Sequence, residues 1–239
     1  MTTNTNSANH QVSPQLIKAY RQVSYVVFEK DTEIVLKVGK VSPELVSIMK
    51  NNHVNCAAFL TAYNPHSQQV GLTVNEQSQA KLIGELQTLN INYLLGEGRD
   101  DSGKWRAESS VLALGINLQN AEILADQFKQ NAFVWINNTD GLVNLRLCYP
   151  IAIPTPEEIN QWISELPQGL QDFARQKPYS ELAWIMSAPV QEIHHWLNNE
   201  SWDLNTPWPL ARPDGSAMGV GTELDRVFRL IHAGVRRFN

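Results

Sequence analysis

The order of strand-like and helix-like segments after Cys56 most constrains the fold of this chain. The unbroken apolar run over residues 56–63 is typical of a central strand, because a strand buried on both faces needs no polar alternation. From there to Ile136 the patterns predict strand, helix, strand, strand, helix, strand, the order of a split βαβ unit. We therefore expect an α+β fold. It is either ferredoxin-like, with helices on one face of a mainly antiparallel sheet, or built on a mixed sheet.

Further elements extend this unit at both ends. Ser13-Pro14 is a good helix start, and Asp31-Thr32 between two strand-like runs favours a short hairpin. Ser42-Pro43 opens another helix, with Leu45, Ile48 and Met49 on one face. The predicted additions are a helix over 13–21, strands over 24–30 and 33–38, a helix from residue 42 and a last strand over 142–149.

A cluster of prolines marks the predicted domain boundary. Pro150, Pro154 and Pro156 follow the last strand, and Thr155 is a natural N-cap for a helix with Pro156 in its first turn. Beyond this point the pattern changes from strands to helices, predicted over 156–165, 168–176, 179–186, 189–199 and 221–233. The chain is thus divided into a disordered tail (1–12), an α/β domain (13–149), a linker (150–155) and a small all-α domain (156–239).

Composition narrows the classes of function. The net charge is −5 over 239 residues, so broad attraction to nucleic acid or an anionic membrane is not expected. The N-terminal residues lack the pattern of a signal peptide, and no apolar run is long enough to cross a bilayer. We expect a cytoplasmic protein with no membrane partner. Cys56 and Cys148 lie in apolar runs typical of buried thiols, and no Cys/His cluster predicts a metal site.

Two predicted loops combine side chains suited to acid–base work or to binding a polar ligand. One follows the strand that ends near Asn64, and the other follows Leu95. If those strands are parallel, both loops lie at the same end of the sheet. Plain turns are the alternative, because Asn-Pro initiates turns and the glycines around Glu97 suit a tight loop. The candidate ligand-binding residues are Asn64, Ser67, Glu97, Arg99, Trp105 and Glu108.

No sequence motif assigns a reaction or a cofactor. Gly96-Glu97-Gly98 lacks the third glycine and the following helix of a dinucleotide fingerprint. A P-loop, a GxSxG elbow and an HExxH motif are also absent. Catalytic residues are therefore not assigned, and no cofactor is predicted.

Three runs carry a resemblance to a known family. They read FLTAYNPHS (59–67), LLGEGRDDSGKWRAESSVLALGI (94–116) and FKQNAFVW (128–135). Over residues 15–148 the chain resembles a bacterial domain-of-unknown-function family, number thirty-two ninety-three. The resemblance implies a domain and a candidate site at these runs, but no activity.

Residues 179–199 resemble a helix-turn-helix, with Ala183 as the small packing residue. A DNA reader needs donors on its second helix and cations for the phosphates. The second predicted helix contains no Lys or Arg, and residues 151–239 carry eleven acidic and seven basic side chains, a net charge of −4. Direct DNA binding is therefore not favoured.

The segment from Trp196 onwards resembles the toxin-binding domain of MbcA/ParS-type antitoxins. A Trp-Leu helix end, a short segment ending in Pro-Leu and a closing helix up to a glycine carry the likeness. Residues 205–208 depart from it, since they replace a glycine-containing turn. The positions involved are Trp196, Leu197, Leu204, Pro209, Leu210, Leu224, Ile231 and Gly234. The partner-binding candidates, chosen because Trp and Arg favour interfaces, are Trp202, Trp208, Arg236 and Arg237.

Three functions stay open at this stage. The first is a non-enzymatic regulatory or binding protein, whose helical domain dimerises or holds a protein partner, such as a toxin, in an antitoxin-like manner. The second is an enzyme acting on a nucleotide-like or nucleic-acid substrate through the loops after Asn64 and Gly96. The third is a DNA-binding repressor. The lack of a catalytic motif favours the first.

Overall fold

The computed structural model describes residues 10–101, 103, 105–137, 141–152, 154–165, 171, 174–175, 207–211, 217–222 and 235–237. Two compact units are formed, the first mainly from residues 19–150 together with the C-terminal residues from 234 onwards, and the second from residues 13–18 and 151–233. The helices are α1 (Pro14–Gln22), α2 (Pro43–Asn51), α3 (Leu72–Thr88), α4 (Leu118–Gln127) and α5 (Pro156–Glu165).

The first unit is organised around one curled sheet. Its strands are β1 (Ser24–Glu29), β2 (Thr32–Leu36), β3 (Cys56–Leu60), β4 (Asn92–Arg99), β5 (Glu108–Leu114), β6 (Ala132–Asn137), β7 (Asn144–Leu147) and β10 (Val235–Arg237). Their order is β10-β7-β6-β3-β5-β4-β1-β2. The seven strands β1 to β7 pair antiparallel, and β10 pairs parallel with β7.

The α+β class and the predicted β1–β2 hairpin are confirmed. The four central strands follow the order β6-β3-β5-β4, with α3 and α4 as the connections, which is the connectivity predicted after Cys56. The sheet is nevertheless larger than a four-stranded unit, because β1, β2, β7 and β10 extend it on both sides.

The core of this unit explains why β3 is uninterrupted by polar residues. Ala57, Ala58, Phe59 and Leu60 are each exposed by no more than 4%. Ala58 and Leu60 belong to an apolar cluster shared with both α3 and α4, so the two helices cover the same face of the sheet. Helix α2 begins as predicted, since the side chain of Ser42 accepts a hydrogen bond from the N–H of Leu45. Its buried residues are Leu45, Ile48 and Met49.

The register of β1, β4 and β5 decides which side chains share a face. Tyr25, Gly98 and Glu108 are directly opposite one another in one row across the three strands. Glu97 lies in the neighbouring row, opposite Ser109 of β5. Because successive residues of a strand point to opposite faces, Glu97 and Glu108 lie on opposite faces of the sheet.

Three sequence predictions need correction. Strand β4 continues to Arg99, whereas a loop was predicted from Gly96, because residues 96–99 pair with β1 on one side and residues 96–98 with β5 on the other. Residues 10–12 are not a disordered tail: Val12 is fully buried and its N–H donates to the carbonyl of Pro150 at 2.9 Å.

The third correction concerns the C-terminal part. Helix α5 is confirmed over 156–165. An all-α domain is wrong for residues 207–211 and 217–222, which form the antiparallel strands β8 (Pro207–Ala211) and β9 (Ala217–Thr222). Two prolines in β8 and two glycines in β9 disfavour a helix there. The helices predicted over 179–186 and 189–199, and residues 223–233 of the last, lie outside the described residues.

Among the described helices, none combines the length and the hydropathy needed to cross a membrane.

Candidate functional site

A strained turn follows β3 and begins the candidate site. Asn64, His66 and Ser67 have φ angles of 47°, 53° and 57°, in the left-handed region that residues other than glycine rarely occupy. Three such residues within four positions are costly unless the surroundings hold them, and strain of this kind is concentrated at functional sites. The N–H of His66 donates to the carbonyl of Lys129 at 2.7 Å, which anchors the turn to the chain before β6.

Asn64 links three elements through its side chain. Its Nδ2 donates to Oε1 of Glu108 on β5 at 2.6 Å. Its Oδ1 accepts from Nδ2 of Asn75 on α3 at 3.0 Å and from the N–H of Val70 at 3.1 Å. The N–H of Asn64 donates in turn to Oδ1 of Asn75 at 2.8 Å. This reciprocal pairing of two asparagines holds the left-handed turn in place.

Ser67 belongs to a second group of polar side chains beside the same turn. Its hydroxyl is 2.5 Å from the Tyr20 hydroxyl. Nδ2 of Asn131, a residue only 3% exposed, donates to both hydroxyls, at 3.2 Å to Ser67 and at 2.9 Å to Tyr20. Tyr20, Asn64, Ser67, Glu108 and Asn131 are called the polar cluster below.

Two histidines lie over one side of the polar cluster. The His10 and His66 rings have centroids 4.0 Å apart, and Tyr149 contacts the His10 ring edge-on at 4.6 Å. Nε2 of His10 is 2.6 Å from Oδ1 of Asn131. Burial lowers the pKa of His66 and the neighbouring His10 lowers it further, because both disfavour the charged imidazolium.

Glu108 is the electrostatically unusual member of the polar cluster. Burial raises the pKa of its carboxyl above the ordinary value, and the hydrogen bond from Asn64 only partly opposes this shift. Within the described part of the chain, no Lys or Arg forms an ion pair with Glu108. Burial also raises the pKa of Tyr20, to which the charge of Glu108 contributes. A partly buried carboxyl that has no cation beside it among the described residues is suited to proton transfer or to binding a donor group.

Glu97 and Arg99 lie apart from this cluster, although the sequence grouped them with it. Both are paired on the surface: Arg99 is bonded to Glu97, and its two terminal nitrogens each contact an oxygen of Glu33 at 2.7 Å. The guanidinium lies 5.8 Å from the centre of the Phe28 ring. This ion network is on the face opposite Glu108, so Arg99 is not a cation for the polar cluster.

Trp105 stands in the connection between β4 and β5. It is 51% exposed, and its backbone N–H donates to a carboxylate oxygen of Asp100 at 3.1 Å. The structure therefore brings together Asn64, Ser67 and Glu108 from the predicted set, and separates Glu97, Arg99 and Trp105 from them.

Sequence reasoning missed Tyr20, Asn75 and Asn131. Asn75 and Asn131 are buried polar residues, exposed by 5% and 3%, and each lies in a segment with clear periodic or apolar patterning. A polar residue at a position that the pattern predicts as core could have indicated them, since buried amides must find partners. Tyr20 carries no such signal, because its role depends on how α1 packs.

The other predicted sites are only partly covered by the described residues. Trp202 and the helix-turn-helix-like segment lie outside them. Trp208 falls in β8 and Arg236 and Arg237 in β10, where only the backbone pairing is described. No group of three potential metal ligands was found among the residues that the structure describes.

Comparison with known proteins matches one segment of the chain. Residues 60–133 match the model of a family described as "Protein of unknown function (DUF3293)". The segment runs from the end of β3 into β6, and it contains every member of the polar cluster except Tyr20. No curated protein and no solved structure matches the chain, and nothing supports the antitoxin-like resemblance of the C-terminal part. The central part of the chain is thus similar to a family whose function is unknown.

Proposed function

We propose that the first unit is a non-enzymatic binding module that holds a small polar ligand at the polar cluster. The observation that carries the proposal is the carboxyl of Glu108, which is partly buried, fixed by Asn64 at 2.6 Å and not paired with a cation among the described residues. A buried acid is costly without a partner. A ligand that donates to the carboxyl would supply that partner.

The backbone supports the same site. Asn64, His66 and Ser67 hold left-handed conformations that no element of regular structure requires. Hydrogen bonds with α3 and with the segment before β6 hold these strained conformations in place. A turn held so firmly keeps its polar atoms in fixed positions, which lowers the entropic cost of binding.

A ligand screen monitored by thermal unfolding tests the proposal. The panel contains the common amino acids, simple alkylamines, sugars and nucleosides, and the wild type is compared with Asn64→Ala and Glu108→Gln. A compound that binds only the folded state raises the Tm. We expect at least one compound to do so for the wild type and not for the two variants.

The matched control is Glu76→Gln, which removes an exposed carboxylate on α3 without touching the polar cluster. This variant should keep the full response to the ligand. Equal responses from the wild type, Asn64→Ala and Glu108→Gln would disprove binding at the polar cluster.

An enzymatic role is the second candidate. It is favoured by the raised pKa of Glu108, since a carboxyl that holds its proton more tightly than usual is better suited to protonate a leaving group. A nucleotide-like or nucleic-acid substrate needs a cation, and Arg99 is engaged on the opposite face. Incubation with a nucleotide mixture, followed by phosphorus NMR, tests this role. Turnover by the wild type that is lost in Glu108→Gln would establish it in place of simple binding.

A role of the C-terminal part in dimerisation or in binding a protein partner stays a prediction from sequence. Deletion of residues 200–239, followed by affinity purification and light scattering, tests it. Loss of a stoichiometric partner, or of the dimer, would support that prediction. An unchanged monomer with no partner before and after the deletion would contradict it.

A further inference from the structure

The two glycines of the Gly96-Glu97-Gly98 motif lie on the same face of β4 as Glu108 and have different surroundings. A Cβ atom on Gly96 would be 2.4 Å from the carbonyl oxygen of Val26 and 2.8 Å from Cε2 of Phe59. The Phe59 ring therefore occupies the place of a side chain there. A Cβ atom on Gly98 would meet nothing closer than Cγ1 of Val23, at 3.7 Å.

The position above Gly98, where an added Cβ would make only an ordinary contact with Val23, lies between an aromatic ring and a carboxyl. Tyr25 and Glu108 are its direct neighbours in the row across β1, β4 and β5. Adjacent strands are about 4.8 Å apart, so the backbones of these two neighbours are separated by roughly 10 Å. We expect that spacing to leave room for one small group between the two side chains.

Both flanking side chains are held in place. The Tyr25 hydroxyl donates to the carbonyl of Tyr20 at 2.7 Å, and its ring packs edge-on against Phe59 with centroids 5.5 Å apart. Glu108 is fixed by Asn64 at 2.6 Å. Neither side chain is free to turn and fill the position above Gly98.

The chemistry of this position selects a cation. A carboxylate and an ammonium form a charge-assisted hydrogen bond, which is about twice as strong as a neutral one. An aromatic ring on the other side adds a favourable cation–π contact. An anionic group would instead be repelled by Glu108.

We propose that the position above Gly98, between Tyr25 and Glu108, receives the alkylammonium group of the ligand. This inference rests on the proposed binding function and names the chemical class of ligand that the site takes. The ammonium supplies a cation, which Glu108 does not have among the described residues, and Asn64 holds the carboxyl towards it. Binding requires the ionised carboxylate, so affinity falls as the pH is lowered.

An NMR titration of the full chain with n-butylammonium chloride tests this inference. The neutral probe n-butanol has the same carbon chain, and sodium chloride keeps the ionic strength constant. We expect a saturable shift of the Gly98 and Glu108 backbone amides with n-butylammonium, and at least a tenfold weaker response to n-butanol. Glu108→Gln should lose the response, whereas Glu76→Gln should keep it.

The variant Gly98→Ala distinguishes a loss of binding caused by a blocked site from a loss of binding caused by unfolding. Its methyl group has room in the protein alone, so the fold should be kept, but it takes the space of the ammonium. We expect at least a tenfold loss of n-butylammonium affinity with little change in the rest of the spectrum. Wild-type affinity in Gly98→Ala, equal responses to both probes, or no saturable shift up to about 100 mM probe, far above a millimolar Kd, would overturn the inference.

The two proposals can fail separately. A ligand from the thermal screen that depends on Asn64 and Glu108 but is insensitive to Gly98→Ala, or that carries no amine, would refute the alkylammonium site. The binding function itself would stand in that case. Conversely, if no compound in the panel raises the Tm and the NMR titration shows no saturation, both are refuted.

Discussion

Gly96 is the residue at which a single methyl group should most disturb the sheet. In Gly96→Ala the new Cβ would lie 2.4 Å from the carbonyl oxygen of Val26 and 2.8 Å from the Phe59 ring. The oxygen belongs to the neighbouring strand, so it cannot be moved by rotating a side chain. Phe59 is only 4% exposed and packs against Tyr25, which limits its movement as well.

The expected cost follows from these contacts. Overpacking of a dense core by one or two carbon atoms costs about 1–3 kcal/mol, and displacement of a paired strand places Gly96→Ala at the upper end, about 3 kcal/mol. Replacement of glycine by alanine also reduces the entropy of the unfolded chain, which returns about 0.5–1 kcal/mol. The net loss in free energy of unfolding should be roughly 2 kcal/mol or more.

Gly98→Ala is the matched control. The substitution is the same, the strand is the same and the face is the same, but the nearest atom to the new Cβ is 3.7 Å away, an ordinary contact. Only the entropic gain applies, so stability should change by less than about 1 kcal/mol. Urea unfolding followed by tryptophan fluorescence measures both variants. If the two variants have the same midpoint, the packing of Phe59 on Gly96 does not govern the stability of β4 and the reasoning is wrong.

Three further predictions concern Glu108, Ser42 and Cys148. Burial raises the pKa of Glu108 in the folded state, so the stability that its protonated form contributes is present below the ordinary pKa and is lost as the pH rises through the folded value. Glu108→Gln should therefore gain stability relative to the wild type as the pH rises above the ordinary pKa of a glutamic acid side chain, as urea unfolding can measure, and a constant difference would contradict this. Ser42→Ala should cost about 1 kcal/mol, because it removes the N-cap of α2, whereas Ser47→Ala on the exposed side of that helix should cost less. Burial raises the pKa of Cys148, so its alkylation by iodoacetamide should be much slower in the folded protein than in urea, as mass spectrometry can measure.

The local sequence pattern was sufficient to predict the elements that form an unbroken apolar run or that begin with a capping residue. The apolar run from Cys56 identified the central strand, and Ser42-Pro43 identified the first turn of α2. Both signals depend only on neighbouring residues, and tertiary packing did not override them. The order of strands and helices after Cys56 was predicted from such signals, while their arrangement in the sheet was left between a ferredoxin-like and a mixed sheet.

The end of β4 was not predictable in this way. Gly96 and Gly98 read as a loop, because glycine weakens an isolated strand. In the fold, β4 is paired on both sides at these positions, and the Phe59 ring packs against Gly96. The compensating contact comes from β3, over thirty residues earlier in the chain, so no local window contains it.

Most of the polar cluster depends on encounters between distant segments. Tyr20 and Ser67 are 47 positions apart, and Ser67 and Asn131 are 64 apart. The residue types of the loop after β3 indicated a site, but the partners from α1 and from the start of β6 could be found only once the chain had folded. Val12 and His10 illustrate the same point, since a polar N-terminal sequence gave no sign that they pack.

The alternation of side chains along β4 between the two faces of the sheet determines which charges the site contains, and so which chemistry it can support. Placed in a common loop, Arg99 and Glu108 would form a mixed-charge site suited to an anionic substrate such as a nucleotide. The pairing of Glu97 with Ser109 instead puts Glu97 on the face opposite Glu108, and Arg99 lies on that same opposite face, two residues along β4. Arg99 is then satisfied by Glu33 and Glu97, and Glu108 is left as a partly buried acid without a cation among the described residues. A site with that charge disfavours phosphates, and for this reason a ligand that brings its own positive charge is the better match.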